Sequence, residues 1–298
     1  MLTRMIVSRR PRGLDLVALA AVCALQPAWS CAARAAPSTN APAARPIVIG
    51  HSYRLRSRVL GDERVINVRL PEHYSDKRRS FPVLFLLDGG EQEDFVHIAG
   101  LAQINAAYGQ GQEVIVVGIQ GVDRRHDLTP PSAVPSDRKL APTSGGAAAY
   151  RRFLVGELEP RVAARFRTSG RSALIGESLA GLFVLETFLE DPQGFTDYIA
   201  VSPSLWWNGG RAAADAGRQL GRSGLSGKRI WIAFDTPAPP AAAAAAERAQ
   251  QQQLERAFRT SAPAGLSWTI VHSEEGHATI YHPAALQAFR ALFGPPAP

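Results

Sequence analysis

Cysteine is scarce in this 298-residue chain: there are two, Cys23 and Cys31, and both fall close to the N-terminus. The domain that follows has no disulfide available, so its stability must come from a packed core. Histidines, cysteines and carboxylates nowhere cluster at metal-ligand spacing, and the sequence implies neither a metal nor a cofactor. Past the N-terminus no apolar run approaches the roughly 20 residues a membrane span needs, which argues against stable membrane insertion. Internal repeats are absent. With 20% charged and 46% hydrophobic residues, the composition is that of an ordinary globular protein rather than a disordered one.

What is present begins with a leader. Arg4, Arg9, Arg10 and Arg12 precede the mostly apolar stretch Leu14–Leu25, and small residues follow around Ala32–Ala36, the pattern of an export signal. We expect a signal peptide over residues 1–35, cleaved near Ala35, then a disordered linker over 36–50, then one domain over 51–298. The expected location is the periplasm or the exterior. Cys31, preceded by Ala28, Trp29 and Ser30, makes a poor lipobox, so lipid anchoring is the less favoured route. The leader carries five arginines against one aspartate, and without it the formal net charge drops from +7 to +3. The high overall pI therefore gives no argument for nucleic-acid binding. The expected partner is a small molecule, and the expected state a monomer.

Tyr53–Leu60 and Val65–Leu70 alternate apolar with polar residues around Gly61 and Asp62, which predicts an antiparallel hairpin. Short runs without alternation follow: Val83–Leu87, Val114–Ile119, Ser172–Ile175, Tyr198–Val201 and Ile230–Phe234. Such runs suit strands buried on both faces of a parallel sheet. Helix-length segments lie between them, over Phe95–Ala107, Ala147–Phe166, Leu179–Leu189 and Ala241–Phe258, and a last strand, Leu266–His272, and a last helix, Pro283–Phe293, close the chain. The alternation predicts an α/β fold with a mostly parallel central sheet and helices on both faces. Asp123–Gly146, rich in proline and charge, reads as a long irregular excursion of the kind that often covers a site.

Gly176-Glu177-Ser178-Leu179-Ala180 joins an apolar strand to a helix, as the nucleophile elbow of the α/β-hydrolase fold does. Small residues at 176 and 180 would let strand and helix approach while the serine hydroxyl projects beyond the sheet. An ordinary helix-capping serine would produce part of the same pattern. In the serine, acid, histidine chain order of this fold, His272, His277 and His282 are the histidines that come late enough, and His277 has the loop position the base requires. For the acid, chain order points to Asp235, although the following Thr236-Pro237 suits a turn cap instead. Glu274 and Glu275 are alternatives, and so is a dyad with no third member. Leu179 and Gly89 are the expected backbone donors to an oxyanion, with Gly90 second.

Taken in order, Phe81–Gly89, Val116–Ile119, Arg125–Pro130, Gly176–Phe183, Ser202–Trp207 and His277–Thr279 resemble successive motifs of the Putative esterase family, whose members include enterobactin-type siderophore esterases, S-formylglutathione hydrolases and feruloyl esterases. The resemblance implies a serine esterase with Ser178 as nucleophile, His277 as base, and Gly89 with Leu179 as oxyanion donors. It also implies Trp206 and Trp207 beside the cleft, where plain core packing is an equal alternative. Separately, Arg124 and Arg125, with Arg138 and Lys139, give the excursion basic groups that would suit an anionic substrate, the alternative being that they only pair with Asp123, Asp127 and Asp137 on a solvated loop. The exported build is most similar to periplasmic siderophore esterases, making a trilactone catecholate siderophore, free or ferric, a candidate substrate. Simple carboxylic, acetyl or feruloyl esters, or ligand binding without turnover, are the alternatives.

Overall fold

The computed structural model describes residues 44–109, 111–222, 224–236 and 240–295, and the expected signal peptide lies outside them. Residues 44–50 carry no regular element before the sheet begins. Eight strands form that sheet: β1 (His51–Arg56), β2 (Glu63–Arg69), β3 (Phe81–Leu86), β4 (Ile115–Ile119), β5 (Thr168–Glu177), β6 (Asp197–Val201), β7 (Arg229–Phe234) and β8 (Ser267–His272). Their order is β1-β2-β4-β3-β5-β6-β7-β8. The β1–β2 and β2–β4 pairs are antiparallel and every other pair is parallel.

The unbroken apolar runs have a direct structural reason. In β3, Leu84 and Leu86 face one side with Val116, Ile175, Ile199 and Trp231, packed by α1 (Phe95–Ala106) and α9 (Tyr281–Leu292). Val83 and Phe85 face the other, with Val117, Leu174, Tyr198 and Ile232. There they meet α4 (Ala147–Phe153), α6 (Leu179–Glu190), α7 (Arg211–Leu220) and α8 (Ala241–Ser261). Side chains alternate across the sheet, so a strand covered on both faces must be apolar at every position. Helix α6, which follows the serine, is buried from Leu179 to Leu189, because it runs beneath its neighbours rather than along the surface.

Three expectations need correction. The single helix expected over Ala147–Phe166 is interrupted: α4 passes through a π-type turn at Leu154–Leu158 into α5 (Glu159–Arg165), with Pro160 in its first turn. Proline has no N–H for the helical ladder and therefore favours a restart at its own position. Helix α7 was not anticipated. The excursion is also more ordered than its composition suggested, for it contains α2 (Arg124–Leu128) and α3 (Pro135–Leu140). Its acids hold it in place. Asp123 caps α2 by accepting from His126 N–H at 3.0 Å, Asp127 forms a buried ion pair with Arg64 of β2, and Asp137 accepts from Ser132 Oγ and Asn208 N–H, each at 2.7 Å.

Candidate active site

Parallel α/β sheets place their reactive groups beyond the carboxyl ends of the strands, where the chain leaves each strand for a loop or helix. Asp88 follows β3, Ser178 follows β5, Ser202 follows β6 and Asp235 follows β7, while His277 lies in the loop after β8. Among the described residues, the non-glycine positions with positive φ are Asp88, Ser178, Ser202 and Asn208, and three of these four stand at those strand ends. Ser178 has φ 62° and ψ −119°. A serine tolerates such a conformation only when its surroundings fix it. Here Ser178 N–H donates to the Val201 carbonyl at 3.0 Å, and the Ser178 carbonyl accepts from Ser204 N–H at 3.1 Å. A Cβ on Gly176 would lie 2.6 Å from Ala180 Cβ, and one on Gly181 would lie 2.5 Å from the Val201 carbonyl oxygen. Glycine at both positions is the condition for this close crossing of β5, β6 and α6.

The elbow presents Ser178 Oγ 3.0 Å from His277 Nε2. On the other side of the ring, Nδ1 lies 3.2 Å from Asp235 Oδ2 and 2.8 Å from Ser202 Oγ. Burial alone would raise the Asp235 carboxyl, but hydrogen bonds from His277 and Ser202 outweigh it and hold the group below its usual range. The bond to Asp235 is also the main reason that the His277 imidazole is raised, against the opposing effect of burial. Asp235 thus stays ionised behind a ring whose Nε2 faces a hydroxyl, the arrangement that lets an imidazole accept a serine proton.

The other candidate groups are occupied elsewhere. His272 faces Glu255 at 3.3 Å, and His282 faces His97 at 3.0 Å. Glu275 accepts from Thr279 Oγ1 at 2.6 Å, and its carbonyl accepts from Thr236 N–H, so it shapes the histidine loop and does not touch the ring. Leu179 opens α6, where a first-turn N–H has no intrahelical acceptor. Gly89 departs from expectation. Its N–H donates to the Ile119 carbonyl at 2.9 Å, and a Cβ there would strike Gly118 Cα at 2.4 Å, so this glycine serves strand packing rather than an oxyanion. The Gly90 N–H is likewise taken, by Glu93 Oε2 at 2.7 Å.

Of the expected substrate residues, Trp207 is a core side chain, 1% exposed, with its indole N–H on the Pro130 carbonyl. Trp206 remains exposed, two residues beyond Ser204, whose Oγ lies 3.3 Å from Ser178 Oγ. Arg125 donates to the Leu140 carbonyl at 2.6 Å and belongs to the excursion. Its neighbour Arg124 is the arginine that reaches the site, bonding Asp88 Oδ2 at 2.8 Å and the Glu177 carbonyl at 3.3 Å. Sequence reasoning gave Ser202, Ser204 and Glu177 no role of their own, and took Arg124 only as one of the basic residues of the excursion. Glu177 Oε1 lies 3.4 Å from His277 Nε2, and burial pushes its carboxyl up to about 7. Its place inside the elbow motif, next to the serine, was the available signal.

A strand-ending serine at positive φ, a histidine from the last loop facing it and a buried aspartate behind that histidine form the arrangement of a serine-hydrolase site on an α/β-hydrolase fold. The chain belongs to the Putative esterase family, whose model matches residues 57–273. It is 35% identical over 162 residues to a siderophore triacetylfusarinine C esterase of Aspergillus fumigatus, covering 50% of this chain and 53% of that one. It is 34% identical over 144 residues to the ferri-bacillibactin esterase BesA of Bacillus subtilis, covering 43% and 49% respectively. The chain thus spans about half the length of the curated relatives it matches. Among solved structures, an IroE-like serine hydrolase from Shewanella oneidensis superposes with a TM-score of 0.74 at 27% identity, covering 82% of this chain and 80% of the other. Among the described residues no helix is long and apolar enough to cross a membrane.

Proposed function

We propose that this protein is an exported serine esterase that cleaves carboxylic esters through an acyl-enzyme, with siderophore esters as its substrate class. The observation that carries the chemistry is Ser178 Oγ at 3.0 Å from His277 Nε2, with Asp235 at 3.2 Å behind the ring. In this reading Ser178 Oγ attacks the ester carbonyl carbon as its proton passes to His277 Nε2. Leu179 N–H and the N-terminus of α6 stabilise the resulting oxyanion. When the tetrahedral intermediate collapses, the alcohol leaves with the proton from Nε2 and the acyl group stays on Ser178. A water molecule, deprotonated by His277, then releases the acid.

Two relatives named for siderophore esters support the substrate class, and the arginine-rich, apolar N-terminus supports export. The catecholate trilactone expected from the sequence belongs to this class. The test uses purified wild type and Ser178→Ala with p-nitrophenyl butyrate, a fluorophosphonate label, and ferric and iron-free enterobactin. Wild type should hydrolyse the simple ester, take one label, and convert the trilactone to linear products seen by chromatography. Ser178→Ala should do none of these. An active Ser178→Ala enzyme would remove the mechanism. Turnover of the simple ester with an untouched trilactone would return the substrate to general carboxylic esters.

A further inference from the structure

Two carboxylates flank the His277 ring. Asp235 holds Nδ1, and Glu177 approaches Nε2, the nitrogen that must hand its proton to the departing alcohol. Whatever alcohol leaves the tetrahedral carbon on Ser178 therefore passes within a few ångströms of the Glu177 side chain. Taking account of the esterase reading on which this rests, we propose that Glu177 is a specificity residue that selects the charge of the leaving alcohol, favouring cationic and neutral alcohols over anionic ones.

The surroundings reinforce the sign. Asp88, Glu93 and Asp94 come from the turn between β3 and α1, Arg124 from α2, His277 from the loop after β8, and Tyr281 from α9. Arg124 is the cation of this group, and its guanidinium is already committed to Asp88 and to the Glu177 carbonyl. Glu93 accepts from the Gly90 and Gly121 N–H groups at 2.7 and 3.3 Å. The Tyr281 hydroxyl is buried without a hydrogen-bond partner among the described residues, so it does not neutralise a carboxylate. An approaching anion meets more acid than base. Burial raises Glu177 to about 7, with Asp94 and Asp88 adding to the effect while His277 and Arg124 oppose it. The selectivity therefore strengthens as pH rises through neutrality. A polyanionic ferric complex is disfavoured at this site relative to a neutral ester of the same skeleton.

The experiment uses three butyrate esters that differ only in the charge at the far end of a two-carbon alcohol: butyrylcholine, 2-hydroxyethyl butyrate and the butyrate ester of isethionate. Butyrate release is followed by chromatography from pH 5.5 to 8.5. For wild type the kcat/KM ratio of choline ester to isethionate ester should rise by at least roughly tenfold across that range, the size expected even at the dielectric of bulk water for two esters that differ by two unit charges some 5 to 6 Å from the carboxylate. Glu177→Gln should make the ratio small and independent of pH. Because His277 acts on all three esters alike, any general effect of the substitution cancels in the ratio. Asp94→Asn, which removes a neighbouring charge, should move the wild-type rise to lower pH. If Glu177→Gln hydrolyses the neutral ester yet keeps the wild-type ratio and its pH dependence, the charge selection is wrong and the esterase reading stands. If wild type releases butyrate from none of the three, the reading and this inference fall together.

Discussion

Asp235→Asn tests the most demanding part of the site, because two groups compete for the same ring nitrogen. In a serine, histidine, aspartate triad, replacing the orienting aspartate with asparagine lowers kcat by about 10⁴, largely by favouring the wrong imidazole tautomer. Here Ser202 Oγ lies closer to His277 Nδ1, at 2.8 Å, than Asp235 Oδ2 does, at 3.2 Å. Ser202 can go on accepting the Nδ1 proton when the carboxylate is gone, so part of the tautomer penalty is avoided. What cannot be replaced is the negative charge beside the imidazolium that forms as Ser178 attacks. At 3.2 Å and an effective dielectric of about 20, that attraction is at most about 5 kcal/mol, or three to four powers of ten. We expect kcat for p-nitrophenyl butyrate to fall about 10³-fold with KM little changed. Ser202→Ala alone should cost less than tenfold, and the double variant should approach the full 10⁴. The pH profile supplies a second readout. The neutral imidazole is the base, so the rate rises as His277 loses its proton; Asp235 is the main cause of its raised value. The acidic limb of the variant should move to lower pH. A loss below tenfold with an unmoved limb would refute the reasoning and leave a Ser178–His277 dyad.

Two further outcomes follow from packing and burial. Gly176→Ala puts a methyl 2.6 Å from Ala180 Cβ and 2.7 Å from the Ala180 carbonyl carbon; strand and helix must separate, costing about 1–3 kcal/mol in urea unfolding and a large share of kcat, and wild-type values in both would be contrary to the close-crossing account. Glu186, buried in α6 and close to Glu190, has its carboxyl pushed up to about 8 from an ordinary 4.5. The folded state keeps a proton that the unfolded chain releases, so stability falls as pH climbs from about 4.5 to 8, by about 1.4 kcal/mol per unit at most. Glu186→Gln should match wild type in thermal unfolding at pH 4.5 and exceed it clearly at pH 8, while equal curves at both would show that Glu186 ionises normally.

The sheet was legible because burial on both faces leaves an unambiguous trace, and the parallel strands β3 to β7 were located from their apolar runs. Strand β5 extends beyond its predicted range, to Thr168 at one end and Glu177 at the other, since its ends are polar where they leave the core. Helix α7 was missed although its pattern is clear: buried Ala212, Ala213, Ala216 and Leu220 lie on the face opposite Arg211, Asp215 and Arg218. In the excursion, composition misled. Its prolines and charges suggested an irregular loop, yet Asp127 is paired with Arg64 some sixty residues earlier, an ion pair that no local pattern can announce.

The same distinction between local and distant information runs through the site. Ser178 and its glycine neighbours were readable because an elbow is a local object: strand, turn and helix within a dozen residues. Gly89 misled for the opposite reason. A glycine after a strand is the expected form of an oxyanion donor, but the atoms that claim it, the Ile119 carbonyl and Gly118 Cα, arrive from β4. Ser202 and Ser204 stand in one of the motifs that carry the family resemblance, but that motif gave neither of them a role. They matter because β6 lies beside β5 in parallel register, so that both strands end at the same level and the turn after one faces the turn after the other. Residues that meet the nucleophile from neighbouring strand ends can thus be sought by register: each parallel strand of such a sheet delivers the first few residues beyond its carboxyl end to a common rim. By that rule Asp88, Ser202, Ser204 and Asp235 stand as candidates before any side chain is placed. Glu177 needs no register at all, because adjacency to Ser178 puts it there.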